Sequence, residues 1–286
     1  MIDLKIIKAG PAELTLAPSL GGGIARLDVD NKPVLRPWLG NESEIFSLAN
    51  NILVPFSNRI SSGGFFWKGI HYSIRPNIKS EIYPIHGDGF KRIWRFSSSN
   101  DKPKMLLLNG RIGPWVYSAE QEFDLSSEGL KITLSITNKG IHSLPFGFGF
   151  HPWFPRTPDT RLAFKAKKVW LEDSQHLPSK ELSLRCHSSW QFKKLRSLPD
   201  SWINNCFCEW DGKAKIKQGE NAKSCSITAS NNLSNAIVFS PDANSNFFCF
   251  EPVSHPVDAF NLPGQPCLRE LQVEETMKAS VKISWK

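Results

Sequence analysis

The sequence lacks any apolar run that approaches the length of a membrane span, so no membrane partner is expected. Its first residues, MIDLKIIKAGPAEL, lack the apolar core and cleavage pattern of a secretory signal. The six cysteines contain no C-x-x-C pair, and Cys206 and Cys208 are too close together for a usual zinc knuckle. Without an export signal, we expect reduced thiols and a cytoplasmic protein.

Long helical periodicity, low-complexity linkers and internal repeats are also missing. What is present is the two-residue period of a half-buried strand, in LKITLSI (130–136), RLAFKA (161–166) and VKISW (281–285). FFCF (247–250) is apolar throughout, as in a strand buried on both faces, and turn residues separate these segments. We therefore predict an all-β fold, a large antiparallel β-sandwich that forms a single domain over residues 1–286.

The charge of the chain permits an acidic partner without specifying one. Lys and Arg number 35 against 27 Asp and Glu, which gives a formal net charge of +8. The two densest basic groups, FKAKKVW (164–170) and QFKKLR (191–196), are short and interleaved with apolar residues. We interpret them as solvated strand faces and expect no nucleic-acid partner, although a basic surface would suit phosphorylated small molecules.

Two stretches place polar side chains in constrained turns. In VPFSNRI (54–60), Asn58 and Arg59 suit recognition of a polyhydroxylated ligand, but they also fit a turn cap beside a surface ion pair. In YPIHGDGFKRIW (83–94), His86 follows a proline and precedes two glycines, so we expect its ring to face a cleft unless it is a loop histidine without a role. The GDG of this stretch lacks the G-K-[ST] ending of a phosphate loop.

Two further stretches end apolar strands in a titratable residue. In FGFGFHPWFP (146–155), alternation points three phenylalanines to one face and two glycines and His151 to the other, and Pro152 limits the freedom of the ring. In FFCFEPVSHPVDAFN (247–261), burial of Glu251 would raise its pKa towards the range of a general base. Each residue also has a purely structural explanation. His151 could be a core histidine with its hydrogen bonds satisfied, and Glu251 could simply reach solvent.

One glutamate and two histidines, supported by Asn58 and Arg59, suggest acid–base chemistry on a small polar molecule. A metal centre could instead draw on five side chains: His86, Asp88, His151, Glu251 and His255. No H-x-H or H-E-x-x-H spacing unites them, so we expect no metal.

Taken in order, NRI, HGDGF, GFGFHPWF and EPVSHPVDAFN resemble the motifs of the aldose 1-epimerases, or mutarotases, and the similarity runs over most of the chain. LQVEETMKASVKISW is similar to the closing hairpin of that family, with VEET in place of the commoner Pro-Gly-Glu turn. The resemblance implies a galactose mutarotase-like supersandwich. It also implies that the α and β anomers of a hexose are interconverted without a cofactor, with a small sugar as the partner.

The resemblance also implies a role for each candidate residue. Glu251 would remove the proton of the anomeric hydroxyl, and His151 would protonate the ring oxygen. His86 would hydrogen-bond the sugar and assist the proton transfer, while Arg59 and Asn58 would hold hydroxyls. These roles suit a glutamate of raised pKa and a histidine whose pKa lies near neutrality.

Asn204 departs from the family pattern, which usually carries Asp at this point of SWINNCFCEWDG (201–212). An asparagine can still hydrogen-bond a hydroxyl, but it has no charge. Asp211, nearby in the sequence, is a candidate to replace the missing carboxylate.

Two alternatives stay within the same fold. One is a hexose-6-phosphate 1-epimerase, in which Lys91 or Arg92 would contact the phosphate. The other is a carbohydrate-binding protein without catalysis, in which Trp115 and Trp153 would stack against the sugar.

Overall fold

The computed structural model describes residues 2–40, 46–97 and 102–285, and nearly all of its regular structure is β-strand. Two single turns of 3-10 helix, Gly89–Lys91 and Ser188–Trp190, are the helical elements of these ranges. The strands are β1 (Lys5–Ala9), β2 (Ala12–Ala17), β3 (Gly23–Val29), β4 (Lys32–Pro33), β5 (Asn50–Leu53), β6 (Gly64–Trp67), β7 (Ile70–Ser73), β8 (Arg95–Ser97), β9 (Lys104–Ile112), β10 (Trp115–Ser126), β11 (Gly129–Asn138), β12 (Leu144–Phe146), β13 (Gly149–Pro155), β14 (Arg161–Phe164), β15 (Lys168–Glu172), β16 (Pro178–Ser183), β17 (Ile203–Cys208), β18 (Lys213–Lys217), β19 (Cys225–Ala229), β20 (Asn235–Ser240), β21 (Phe247–Val253), β22 (Arg269–Leu271) and β23 (Thr276–Trp285).

Two large antiparallel sheets organise these strands. The larger has eleven strands in the order β1-β2-β3-β5-β13-β21-β20-β17-β15-β16, with β4 added beside β3. The smaller has eight, in the order β14-β18-β19-β23-β11-β10-β9-β8. Two ribbons, β12-β22 and β6-β7, complete the pairing. The prediction of an all-β, antiparallel architecture is confirmed.

The sheets pack face to face around a large hydrophobic core that draws on residues from Ala12 to Trp285. The predicted alternation is present in β11, where Leu130 and Ile132 are buried and Lys131 between them is exposed. Aromatic contacts join the layers: the rings of Phe164 in the smaller sheet and Phe250 in the larger lie 5.1 Å apart. Burial of such rings from both sheets is the main source of stability in a fold of this kind.

Strands β13 and β21 are buried on both faces, which explains their nearly continuous apolar sequence. Phe150, Phe248 and Phe250 point into the core between the sheets. The residues that alternate with them, including His151 and Glu251, point to the opposite face of the larger sheet. The core therefore anchors the two strands that carry the candidate catalytic residues.

The bare glycine face predicted beside His151 accommodates another histidine. A Cβ on Gly147 would lie 2.1 Å from His255 Cδ2, which no real contact allows. The His255 ring is held there because its Nε2 accepts the Ser57 N–H at 3.2 Å and its Nδ1 donates to the Pro256 carbonyl at 2.8 Å. Gly147 thus lets the segment after β21 close against the loop that contains Asn58.

Gly147→Ala is expected to lower the free energy of unfolding by about 2 kcal/mol or more, because the added methyl group overlaps the His255 ring. Guanidinium denaturation measures this. Gly63→Ala is the control: its Cβ would meet open space, so only its left-handed backbone (φ 67°) opposes the change, at about 1 kcal/mol. Equal losses in the two variants would contradict the account of Gly147.

Candidate active site

His151 and Glu251 lie side by side on the face of the larger sheet that points away from the smaller one. β13 pairs with β21 with Trp153 opposite Cys249, which sets His151 opposite Glu251. His151 Nε2 lies 3.5 Å from Glu251 Oε1. Only 5% of His151 and 2% of Glu251 is exposed. The register of two strands therefore creates a close pair of titratable groups with little access to water.

Burial sets the protonation of this pair. It raises the pKa of Glu251 well above its ordinary value, against the weaker opposing effect of the Arg59 charge. Burial first, and then the charge of Arg36, lowers the pKa of His151 to about 3. The expectation for the glutamate agrees with this, whereas the near-neutral pKa expected for the histidine is wrong. Both shifts favour the uncharged form of each group, so a single proton on the pair is held more favourably by Glu251 than by His151.

Two aromatic rings fix the plane of the His151 imidazole. Trp153 stacks on it at 4.9 Å between ring centroids, with only 5° between the planes. Phe46 stacks on it at 5.7 Å with 24° between the planes. Arg36 in turn lies over the Trp153 ring, 4.0 Å from its centroid. The imidazole is thus held by ring contacts in addition to the rigidity that Pro152 gives the backbone.

His86 joins the same site from the loop that follows β7. Its ring centroid lies 5.4 Å from that of His151. Its Nδ1 accepts the Asn58 N–H at 3.0 Å, so in the neutral ring the proton is on Nε2. Its pKa is lowered well below 6.5 by burial, then by His151 and Arg59. The predicted constrained turn is present, with φ 59°, and only 5% of His86 is exposed. His86 is therefore a neutral hydrogen-bond donor.

Asn58 caps a turn and Arg59 forms an ion pair, so both hold the site together through contacts within the protein. The Asn58 Oδ1 accepts the Arg59 N–H at 2.9 Å, and the Asn58 carbonyl accepts the His86 N–H at 2.9 Å. Arg59 donates from Nε and Nη2 to the two oxygens of Glu81, each at 3.0 Å. Unlike a surface ion pair, this one is buried on the arginine side, with Arg59 only 9% exposed. Its charge is near enough to influence Glu251 and His86.

Several buried polar atoms on the site face make no hydrogen bond to the described residues. On the strands themselves these are Asn51 Nδ2 and Oδ1, His151 Nδ1, Trp153 Nε1 and Glu251 Oε2. Asn51 is the direct strand partner of His151, so its amide lies on the same face. Buried polar atoms are normally paired, so a concentration of unpaired ones marks a place suited to a ligand rich in hydroxyls.

Comparison with known proteins identifies the family. The family model described as aldose 1-epimerase matches residues 8–284. The chain belongs to the aldose 1-epimerase family. A relative from Escherichia coli K12, the uncharacterized protein YphB, is 34% identical over 274 residues, which cover 93% of each chain. The suspected family is thus confirmed.

Solved structures of aldose 1-epimerase relatives share the architecture. The crystal structure of a putative aldose 1-epimerase from E. coli K12 superposes with a TM-score of 0.92 at 30% identity and covers 100% of both chains. A galactose mutarotase-like protein from Clostridium acetobutylicum gives a TM-score of 0.81 at 18% identity, covering 99% of this chain and 98% of that one. The second likeness shows the fold alone. Together they confirm the galactose mutarotase-like sandwich.

The structure separates the two residues discussed for the missing family carboxylate. Asn204 lies on the site face, since its strand partner Phe239 is itself the partner of Cys249. Its Nδ2 donates to Glu172 Oε2 at 2.8 Å. Asp211 is exposed in the turn after β17, where its Oδ1 accepts the Lys213 N–H. It borders a groove on the smaller sheet, so the fold does not bring it to His151 and Glu251.

The residues expected to hold a phosphate or a stacked sugar have other contacts. Arg92 donates to Asp88 Oδ2 at 2.5 Å and to the Arg111 carbonyl at 2.8 Å. Lys91 bonds the Asn77 carbonyl. Trp115 is fully buried in the core, with its Nε1 bonded to the Pro145 carbonyl, so it offers no face to a sugar. Trp153, by contrast, lies on the site face.

One group of three side chains in the described ranges could share a metal ion: His151, Cys249 and Glu251, whose ligand atoms lie within 4.8 Å of one another. Asp88, which the sequence offered as a ligand, instead accepts the Tyr117 hydroxyl at 2.5 Å. His255 uses both ring nitrogens structurally. A metal bound by His151, Cys249 and Glu251 would occupy the same His151 and Glu251 atoms that acid–base chemistry needs. The Cys249 thiolate would favour a metal that accepts soft ligands.

Sequence reasoning missed three residues that shape the site: Arg36, Phe46 and Asn51. Asn51 carries a weak signal, because two consecutive asparagines open the short strand β5 ahead of two apolar residues. Arg36 and Phe46 lie in loops without periodicity, so no pattern identifies them. Within the described part of the chain, no helix is long and apolar enough to cross a membrane.

His151 and His255 are expected to remain neutral while an ordinary histidine protonates, because burial lowers their pKa values to about 3 and about 4. Nitrogen-15 chemical shifts of the imidazoles, followed as the pH falls from 8 through 6.5 towards about 4.5, measure this. His151→Gln and His255→Gln identify the two signals. A midpoint near 6.5 for His151 would contradict the dry environment described for it.

Proposed function

We propose that this protein is an aldose 1-epimerase that interconverts the α and β anomers of a hexose, with Glu251 as base and His151 as acid. The observation that carries the proposal is the buried pair, with 3.5 Å between His151 Nε2 and Glu251 Oε1 on the same sheet face. Anomer exchange needs one group to take a proton from the anomeric hydroxyl and another to give one to the ring oxygen of the same sugar. Two groups this close can serve one carbon–oxygen unit.

The pair supplies the right number of protons. In the reactive form, its single proton is on His151 and Glu251 is a carboxylate. Glu251 then accepts the proton of the anomeric hydroxyl while His151 Nε2 protonates the ring oxygen, and the bond between the anomeric carbon and the ring oxygen breaks. The product is the open-chain aldehyde, and the proton of the pair is now on Glu251, its preferred position when the site is dry.

Ring closure reverses these transfers. Rotation about the bond between the first two carbons exposes the other face of the aldehyde to the ring hydroxyl. His151 takes back the hydroxyl proton as the oxygen attacks, and Glu251 returns its proton to the new anomeric oxygen. Each group serves as acid in one direction and base in the other, so the protein is unchanged after a turnover and no cofactor is needed.

The neighbouring residues would bind and orient the sugar. His86 presents an Nε2–H because its Nδ1 is engaged by Asn58, so it donates to a sugar oxygen. Arg59 supports the carboxylate form of Glu251 by its charge. The unpaired amide of Asn51 and the Trp153 Nε1 supply further hydroxyl partners. We assign Asn58 to holding His86 and Arg59 in place rather than to direct contact with a hydroxyl.

We also propose a cytoplasmic location and a small sugar as the partner, without nucleic acid or membrane. The six cysteines are all unbridged, as expected where thiols stay reduced.

Polarimetry on freshly dissolved α-anomers of glucose, galactose and glucose 6-phosphate tests the proposal. The protein is expected to accelerate anomer exchange above the spontaneous rate. Glu251→Gln and His151→Asn should each reduce kcat on the order of 10²- to 10⁴-fold, since each removes one proton-transfer group. Assays with a chelator present exclude a contribution from a metal on His151, Cys249 and Glu251.

Asp211→Asn is the matched control, because it removes a carboxylate outside the site and should leave the rate unchanged. A folded Glu251→Gln variant with the wild-type rate would contradict the assigned roles. Binding of sugar by wild type without any acceleration would replace the proposal with a carbohydrate-binding protein.

A further inference from the structure

We propose that Glu172 is a positioning residue that turns the Asn204 amide so that its oxygen reads a sugar hydroxyl. This inference rests on the proposed function, because it assumes that a sugar lies on the site face. It assigns to β15 and β17 a hydroxyl-binding subsite for the end of the sugar remote from the reacting carbon.

The position of Asn204 suits this subsite. Asn204 and Glu251 are separated by β20, and both point to the same face, because Asn204 pairs with Phe239 and Phe239 with Cys249, two residues before Glu251. Two strand spacings, combined with the two-residue offset along the strand, amount to about 12 Å. A hexose that hydrogen-bonds at both ends spans a comparable distance. A sugar with its anomeric carbon at Glu251 could therefore reach Asn204 with a distal hydroxyl.

Glu172 is fully committed to side chains of the protein. Its Oε2 accepts the Asn204 Nδ2–H at 2.8 Å and lies 2.9 Å from His176 Nδ1. Its Oε1 accepts the Trp202 Nε1–H. Three partners hold one carboxylate, so its role is to orient neighbouring groups.

The consequence for Asn204 is a fixed polarity. Its Nδ2 is bound to a carboxylate, and a flipped amide would set its oxygen against a negative oxygen. The Oδ1 is therefore presented away from Glu172, and it has no hydrogen-bond partner among the described residues. Asn204 thus offers an acceptor to a hydroxyl, as a carboxylate at that position would, without adding a charge of its own.

Aromatic contacts connect this subsite to the catalytic pair. Trp202 packs on Phe239 at 5.2 Å and on His176 at 5.5 Å. Phe239 in turn contacts Trp153, the ring that stacks on His151, at 6.4 Å. The subsite is therefore built on the same rigid strands as the acid–base pair, which is where a hydroxyl-reading group needs to be.

A reciprocal exchange of acid and amide tests the proposal. Asn204→Asp alone sets two carboxylates against each other and removes the hydrogen bond to the charged Glu172. Such a bond is worth enough that KM should rise about 10- to 100-fold at neutral pH, with kcat nearly unchanged. The double variant Asn204→Asp with Glu172→Gln restores the donor–acceptor pair with its roles exchanged. Its KM should return to within about threefold of wild type. Glu181→Gln is the control: it removes a carboxylate on β16 that pairs with Lys168, and it should leave KM and kcat unchanged.

Two further readouts separate positioning from mere stability. The KM of Asn204→Asp should improve as the pH falls, because the two carboxylates can then share a proton. In a series of monodeoxy sugars, the one that lacks the hydroxyl read by Asn204 should show nearly the same KM with all variants. Additive losses in the double variant, or equal losses with every deoxy sugar, would overturn the proposal.

Sugar binding, followed by tryptophan fluorescence in the same four proteins, keeps this test distinct from that of catalysis. If wild type binds sugar with the reciprocal pattern but does not exchange anomers, the subsite stands and the proposed reaction fails. If anomer exchange occurs without the reciprocal pattern, the subsite fails alone. Wild type that neither binds nor converts any sugar would overturn both.

Discussion

Burial of a carboxylate beside an imidazole is the constraint on which the rest of this structure depends. A dry site disfavours the charged form of each group, and burial accordingly raises the pKa of Glu251 and lowers that of His151. The antiparallel pairing of β13 and β21 makes the two side chains direct neighbours, and the phenylalanines that alternate with them hold both strands in the core. The fold thus provides rigidity on one face of the sheet and chemistry on the other.

The remaining site residues preserve this arrangement. Trp153 and Phe46 fix the His151 ring by stacking, so its Nε2 stays directed at Glu251. The Asn58 backbone determines which nitrogen of His86 carries the proton. Arg59 brings a positive charge close to Glu251, and Glu81 holds that arginine in place through two hydrogen bonds. Each of these contacts helps to determine which group carries a proton and where that group points, and anomer exchange depends on both.

Much of this could be predicted from the sequence, because the signals were local. The two-residue period of β11 and the apolar run of β21 predict their strands correctly, and the interruptions at His151 and Glu251 identify the central pair. The raised pKa of Glu251 was predicted correctly, but the lowered pKa of His151 was not. The pKa of His151 depends on burial by Trp153, Phe46 and the charge of Arg36, and only the folded chain brings these together. Proximity in sequence was equally misleading for Asp211, since a turn carries it to the smaller sheet.

The contact between Glu172 and Asn204 could not be predicted from the sequence either. Glu172 ends a strand far from Asn204 in the sequence, and only the pairing of β15 with β17 brings its carboxylate to that amide. A departure from a family pattern at one position can thus be offset by a neighbouring strand, which a single sequence does not reveal.

The most direct test of the central claim is the pH dependence of kcat/KM for anomer exchange, after subtraction of the spontaneous rate. A pair that must hold one proton loses activity only when that proton leaves or a second one binds. Because burial lowers the pKa of His151 to about 3, the account predicts no acid-side decline around pH 6.5. Activity should instead decline as the pH rises past the pKa of Glu251, which burial raises. A decline on the acid side centred near 6.5, the value of an ordinary histidine, would contradict it.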